Sequence, residues 1–227
     1  MKQSFKTVQK SITVLILFMS LAQTSFSQTS KFSLSINSLS TTFNYGKSNS
    51  AMRPYKKDFR GLQIGASYQA GISPMFSVVP EFYFALKGGI LKQGNALTEN
   101  KSTLRFCTFE APVLARMHIQ KFYLNAGPYA TYALGGRIKT AGSERVPATS
   151  TSISFGNSSG AFKRWDMGIQ AGAGYNFTLK KSTLTLDVRY GYGLVNISSD
   201  IERYNRMLNI SLLLSRNGKK GSTEKHG

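Results

Sequence analysis

Residues 164–177, "RWDMGIQAGAGYNF", alternate strictly in polarity, and no other feature of the chain restricts its fold as tightly. Trp165, Met167, Ile169, Ala171, Ala173, Tyr175 and Phe177 share one parity, and Asp166, Gly168, Gln170, Gly172, Gly174 and Asn176 the other. A period of two is the signature of a strand with two different faces. Seven further segments repeat it: residues 31–37, 61–72, 76–87, 104–117, 122–134, 183–195 and 207–214. The chain therefore predicts eight strands, and outside the N-terminal apolar run no stretch reaches the roughly 20 apolar residues of a transmembrane helix.

The links between these segments alternate in length. The gaps at residues 40–60, 88–102, 136–163 and 196–206 are long, whereas "SPM", "HIQK" and "TLKKS" are tight turns. In an up-and-down antiparallel sheet, successive links emerge at opposite ends. One end is then all turns and the other all loops, the layout of an outer-membrane barrel with short periplasmic turns and longer extracellular loops. Both termini are expected in the periplasm.

Which parity looks inward separates a soluble barrel from a membrane one. A soluble barrel fills its lumen with large apolar residues and covers its outside with charge. Here the polar parity consists of Gly, Ser, Asn, Gln and Thr with a few charges of both signs: Glu81, Lys87, Glu110, Arg116, Asp166, Asp187 and Arg189. Small residues suit a narrow lumen, and opposite charges can compensate one another there. The polar set is predicted to face in, as a luminal charge network. The apolar set faces lipid, with Tyr68, Tyr132, Trp165, Tyr175, Tyr190 and Tyr192 as a candidate aromatic girdle. The fold class that follows is all-β: an eight-stranded antiparallel up-and-down transmembrane β-barrel, closed because hydrocarbon offers backbone groups no other partner.

The N-terminus carries Lys2, Lys6 and Lys10 before the apolar run at residues 12–22, which is the form of a secretory signal peptide. Cleavage is expected after Ala22 or Ser27, with residues 1–27 as the preferred leader. Residues 28–214 form the barrel domain and residues 215–227 a basic tail. Without the three leader lysines, 26 of the 29 basic residues remain against 10 acidic ones. Export and the scatter of those bases argue against nucleic acid, so the expected partners are outer-membrane lipid and lipopolysaccharide. Cys107, the single cysteine, reads as a buried thiol.

Nothing converges for catalysis. Only His118 and His226 are available for a triad or a histidine metal cluster, and the Gly-x-Gly pairs at 172/174 and 191/193 lack the dinucleotide pattern. No catalytic, cofactor-binding or metal-binding residue is predicted. The long links around Phe43, Tyr45, Met52 and Tyr55, and across residues 140–160, read as solvated loops able to bind a surface partner.

Taken in order, "PEFYFALKGG", "FEAPVLARM", "FYLNAGPYATYALGG", "WDMGIQAGAGYNF" and "LDVRYGYGLVNIS" resemble the successive strands of the PorT-like outer-membrane β-barrel family of Bacteroidota. The resemblance implies a barrel without assigned activity. It also implies a link to type IX secretion, with secretion-machinery proteins as partners. Barrels of this kind commonly end on an aromatic residue, whereas here Leu214 is followed by "SRNGKKGSTEKHG". Three functions follow from these features: a structural or interaction barrel, an accessory component of secretion, and an outer-membrane lipid-modifying enzyme with a rim carboxylate as its base.

Overall fold

Each alternating segment becomes a strand, and each strand finds two neighbours. The computed structural model describes residues 30–97, 99–143 and 147–216. Its strands are β1 (Lys31–Asn44), β2 (Lys56–Lys57), β3 (Phe59–Gly71), β4 (Phe76–Leu91), β5 (Ser102–Ile119), β6 (Phe122–Thr140), β7 (Thr149–Ser152), β8 (Trp165–Thr178), β9 (Ser182–Gly193) and β10 (Tyr204–Arg216). The eight long ones pair antiparallel in chain order, and β1 closes the circle on β10. A closed wall leaves no edge groups unpaired. The short β2 and β7 flank β4 and β6, and a 3-10 turn occupies Ser50–Tyr55.

The wall presents its apolar parity outward. Phe32, Leu34 and Ile36 are exposed on β1, Trp165, Met167 and Ile169 on β8, and Leu208, Ile210, Leu212 and Leu214 on β10. On β5 the outward apolar set runs from Phe109 to Ile119. Eleven residues at about 3.3 Å each, tilted about 45°, rise roughly 25 Å, the height of a lipid-facing band.

Toward the long-loop end the pattern inverts. Beyond Ile36 the outward positions of β1 become Ser38, Ser40 and Thr42, while Leu39 and Phe43 turn inside. On β5, Arg105 and Thr103 turn out as Leu104 and Phe106 turn in. The wall here extends past the apolar band, so water replaces lipid outside and the inside becomes the only place to bury apolar area. Phe43, Tyr45, Met52, Leu91, Phe106 and Phe162 belong to one buried cluster that fills this end. Phe43 meets Phe106 edge-on at 6.5 Å, and Phe106 meets Phe162 at 5.3 Å.

This corrects two expectations. Phe43, Tyr45 and Met52 do not sit in a solvated loop: each is at most 4% exposed, because strands β1, β4, β6 and β10 run further toward the loops than their lipid-facing alternation. Cys107 is half-buried on the outward parity of β5 rather than in a core. It lies beside a β-bulge, where Thr108 pairs Ala133 and Cys107 pairs Gly135, leaving Leu134 as the extra residue. The expected leader at 1–27 and the tail from residue 217 lie outside the described residues, while residues 215 and 216 continue β10. No helix of the described residues is long and apolar enough to cross a membrane.

Candidate functional site

Buried charge is concentrated in the lumen, where small residues on β8 make room for it. Gly172 faces Arg189 across the β8–β9 ladder, and a Cβ at that position would come within 2.7 Å of the Arg189 Cα and Cγ. Arg189, 2% exposed, extends its guanidinium to Glu81 on β4 as a two-toothed fork. Nη2 donates to Oε1 at 3.0 Å and Nη1 to Oε2. Its Nε also lies 2.5 Å from Asp187 Oδ1. Both carboxylates are held further by neutral donors. The Tyr83 hydroxyl donates to Glu81 at 3.1 Å, and Tyr123 and Asn125 donate to Asp187 at 2.6 and 3.0 Å. Arg116 completes the group, with Nη2 4.0 Å from Glu81, Nη1 donating to Gln69 at 3.2 Å, and its plane 3.9 Å from the Tyr123 ring centre.

A second group lies nearer the long-loop end. Lys87 is ion-paired with Glu110 and donates to Thr131 at 3.2 Å, while Gln170 donates to the other Glu110 oxygen at 2.6 Å. Asp166 accepts from Asn205 at 2.7 Å and from Tyr129 at 3.3 Å. Beside these groups, Gln63 accepts from Asn37 at 2.7 Å and from Asn209 at 2.9 Å. Buried ions need both a counter-charge and satisfied lone pairs; Glu81 and Glu110 have both, whereas Asp187 accepts hydrogen bonds through Oδ2 and meets the Arg189 charge through Oδ1. Among the described residues no cluster of three His, Cys, Asp or Glu side chains forms a metal cage.

Several contributors were not singled out from sequence. Tyr83, Tyr123 and Tyr129 bond luminal carboxylates, and each lies on the polar parity of its strand, a signal that was available. Arg203 carries no such signal. It sits between β9 and β10, buried among the rings of Phe43, Tyr45 and Phe162 at 5.5, 5.5 and 4.9 Å. Burial lowers its pKa from the usual arginine range against the opposing pull of Tyr45, whose own pKa burial raises.

The six aromatics singled out on the outer parity all lie on the outer wall. Trp165 and Tyr132 are cross-strand partners at the long-loop end of the band, edge-on at 5.0 Å. Tyr192, at the same end, carries the Arg206 guanidinium 3.4 Å from its ring centre, and Tyr190 lies two residues further into the band. Tyr68 pairs with Phe32, and Tyr175 packs on Phe122 at 4.7 Å, both near the tight turns.

At the tight-turn end the lumen opens into a cavity of about 490 Å³ lined by Lys31, Arg116, His118 and Lys121 and, among the described residues, by no carboxylate. His118, at the end of β5, has Nε2 2.9 Å from the Ser77 hydroxyl. On the outside of β4–β6 a groove of about 340 Å³ follows the bulge, with Leu86, Cys107, Gly135 and Gly136 against Arg105, Arg137 and Lys139.

No curated protein matches this sequence. Solved barrels are similar to it at low identity. The attachment invasion locus protein of Yersinia pestis, in complex with the heparin analogue sucrose octasulfate, is 12% identical, with a TM-score of 0.43 over 84% of this chain and 100% of that one. Neisserial surface protein A is 10% identical, with a TM-score of 0.42 over the same shares. The N-terminal barrel domain of Pseudomonas aeruginosa OprF is 11% identical, with a TM-score of 0.29 over 81% of this chain and 96% of that one. A family model matches residues 21–199, most of the chain, and by that match the protein belongs to the outer membrane protein beta-barrel domain family.

Proposed function

We propose that this outer-membrane barrel is a sealed, non-catalytic wall element with a structural or interaction role, its long-loop end outside the cell and both termini in the periplasm. The observation that carries this reading is the double closure of the lumen. The charge network fills it within the apolar band, and the aromatic cluster around Phe43 and Phe106 fills it above. Eight strands leave an interior that side chains can fill. The leader at residues 1–27 supplies export, and Tyr68, Tyr132, Trp165, Tyr175, Tyr190 and Tyr192 act as the interfacial girdle. The surrounding lipid, lipopolysaccharide included, is the partner that the basic outer face suits. The strand carboxylates Glu81, Glu110, Asp166 and Asp187 all point to the lumen, which leaves a lipid-modifying enzyme only the long-link carboxylates, such as Asp58, Asp200 and Glu202, as a base.

The PorT-like assignment adds a more specific role, accessory to type IX secretion, with the tight turns and the basic C-terminal tail as its docking face. Deleting the gene in its native host and quantifying secreted and surface proteins separates the two. An unchanged secretome, together with a purified barrel that passes no ionic current in planar bilayers, is the expected result. Loss of a class of secreted proteins would replace the structural reading with the secretory one, and steady current would refute the sealed lumen.

A further inference from the structure

Charge is sorted across the wall. The four strand carboxylates face in, and beyond the apolar band Arg60, Arg105, Arg137 and Lys139 are exposed outside. Arg105 and Arg137 are directly opposed in the β5–β6 ladder, and Lys139 opposes Thr103 one outward pair further on. Like charges directly opposed across strands destabilise a sheet. Among the described residues no carboxylate forms an ion pair with any of the three. Beside them the bulge opens a groove with small and apolar residues, Gly135, Gly136, Cys107 and Leu86, where a Cβ on Gly135 would meet nothing within 4 Å. Below it the wall carries Phe84, Phe109 and Leu134 toward lipid.

We propose that this groove is a binding site for a phosphorylated, acylated lipid. One phosphate bridges Arg105 and Arg137, Lys139 supplies further positive charge, and an acyl chain lies down the apolar wall past Leu86. The phosphate removes the like-charge repulsion, and arginine's fork suits its oxygens better than a point charge would. The position at the edge of the band matches the headgroup level of the leaflet nearest the long loops. The site rests on the outer-membrane orientation proposed above, which makes that the outer leaflet.

Cys107 provides a readout in the native chain, because it is the only cysteine and lines the groove. The test is its rate of alkylation by an uncharged, water-soluble maleimide, with the protein in phosphatidylcholine vesicles with and without diphosphoryl lipid A. Lipid A is expected to slow alkylation several-fold, and dephosphorylated lipid A or inorganic phosphate to leave the rate unchanged. Equal protection by either control overturns the proposal, the first in favour of acyl chains alone and the second in favour of a free anion. Arg105→Gln with Arg137→Gln should abolish the protection, and persistence of protection in that variant also overturns it. Arg137→Gln alone should unfold less readily than the parent in plain phosphatidylcholine and gain less from lipid A. If neither variant inserts, the comparison of phosphorylated with dephosphorylated lipid on the unaltered protein still decides. Fractionation of the unaltered protein away from the outer membrane would sink the orientation itself. Normal fractionation without phosphate-dependent protection would sink only the site.

Discussion

Replacing Arg189 by Met is the sharpest test of the luminal network. The substitution keeps most of the side-chain length and removes what is, among the described residues, the only cation within hydrogen-bonding distance of Glu81, as well as the one that faces Asp187. What remains is uneven. Glu81 retains the Tyr83 hydroxyl and Arg116 at 4.0 Å, and Asp187 retains Tyr123 and Asn125. Breaking a buried pair by removing one partner costs about 3–5 kcal/mol, and the surviving donors place this case near the lower figure, about 3 kcal/mol. That corresponds to a shift of roughly 100-fold in the unfolding equilibrium. Adding Glu81→Gln to Arg189→Met removes one uncompensated charge, and the pair should be more stable than the single variant by about 1–2 kcal/mol. Urea unfolding in lipid vesicles, followed through the fluorescence of Trp165, the single tryptophan, reads both. A single variant within about 1 kcal/mol of the parent, or a double variant in which the two losses simply add, would refute the coupling.

Phe43→Ala should cost about 3–5 kcal/mol, because Phe43 is 1% exposed and in edge contact with Phe106 and Tyr45; a loss below about 1 kcal/mol in the same assay would mean that the aromatic cluster does not hold the long-loop end closed. Gly172→Ala should destabilise by about 1–3 kcal/mol, since the new methyl group would press on the Val188 carbonyl and the Arg189 backbone, and Arg189→Ala should leave most of that loss in place; a loss below about 0.5 kcal/mol would contradict the packing account. Trp165 fluorescence should be quenched more by lipids brominated near the headgroup than by lipids brominated near the chain end; the reverse order would remove Trp165 from the girdle.

The closed eight-stranded barrel was legible because its signal is periodic and repeated, and because alternating link lengths fix the up-and-down order. The upper reach of the wall was less legible, although the phase change is written in the chain. On β1 the apolar parity passes from Phe32, Leu34 and Ile36 to Leu39 and Phe43, and on β5 from Leu104 and Phe106 to Phe109. Ending a strand where its lipid-facing alternation stops misses this, because the outside solvent changes while the backbone continues. Which luminal charges meet is another matter. Arg189 and Glu81 are 108 residues apart and on strands that are not neighbours, so their contact depends on barrel diameter and stagger. Arg203 owes its place to the cluster folding over it, and no local pattern marks that in advance.

The two ends of the interior use opposite chemistry for one reason. Inside the apolar band the outer face satisfies lipid, so the polar parity is what remains for the lumen, and there charges and amides must satisfy one another. Above the band the outer face must satisfy water, and the apolar parity falls to the interior, where burial needs no partners. The polar network is therefore intolerant of single changes, since each removed partner strands another, whereas the aromatic cluster loses stability in proportion to the volume removed. A conservative change at Glu110, held by Lys87 and Gln170, should accordingly cost more per atom altered than one at Leu104. Comparing Glu110→Gln with Leu104→Val in the same unfolding assay measures that ratio. Equal losses would mean that water enters the lumen and screens the charges, and the network would then be no seal.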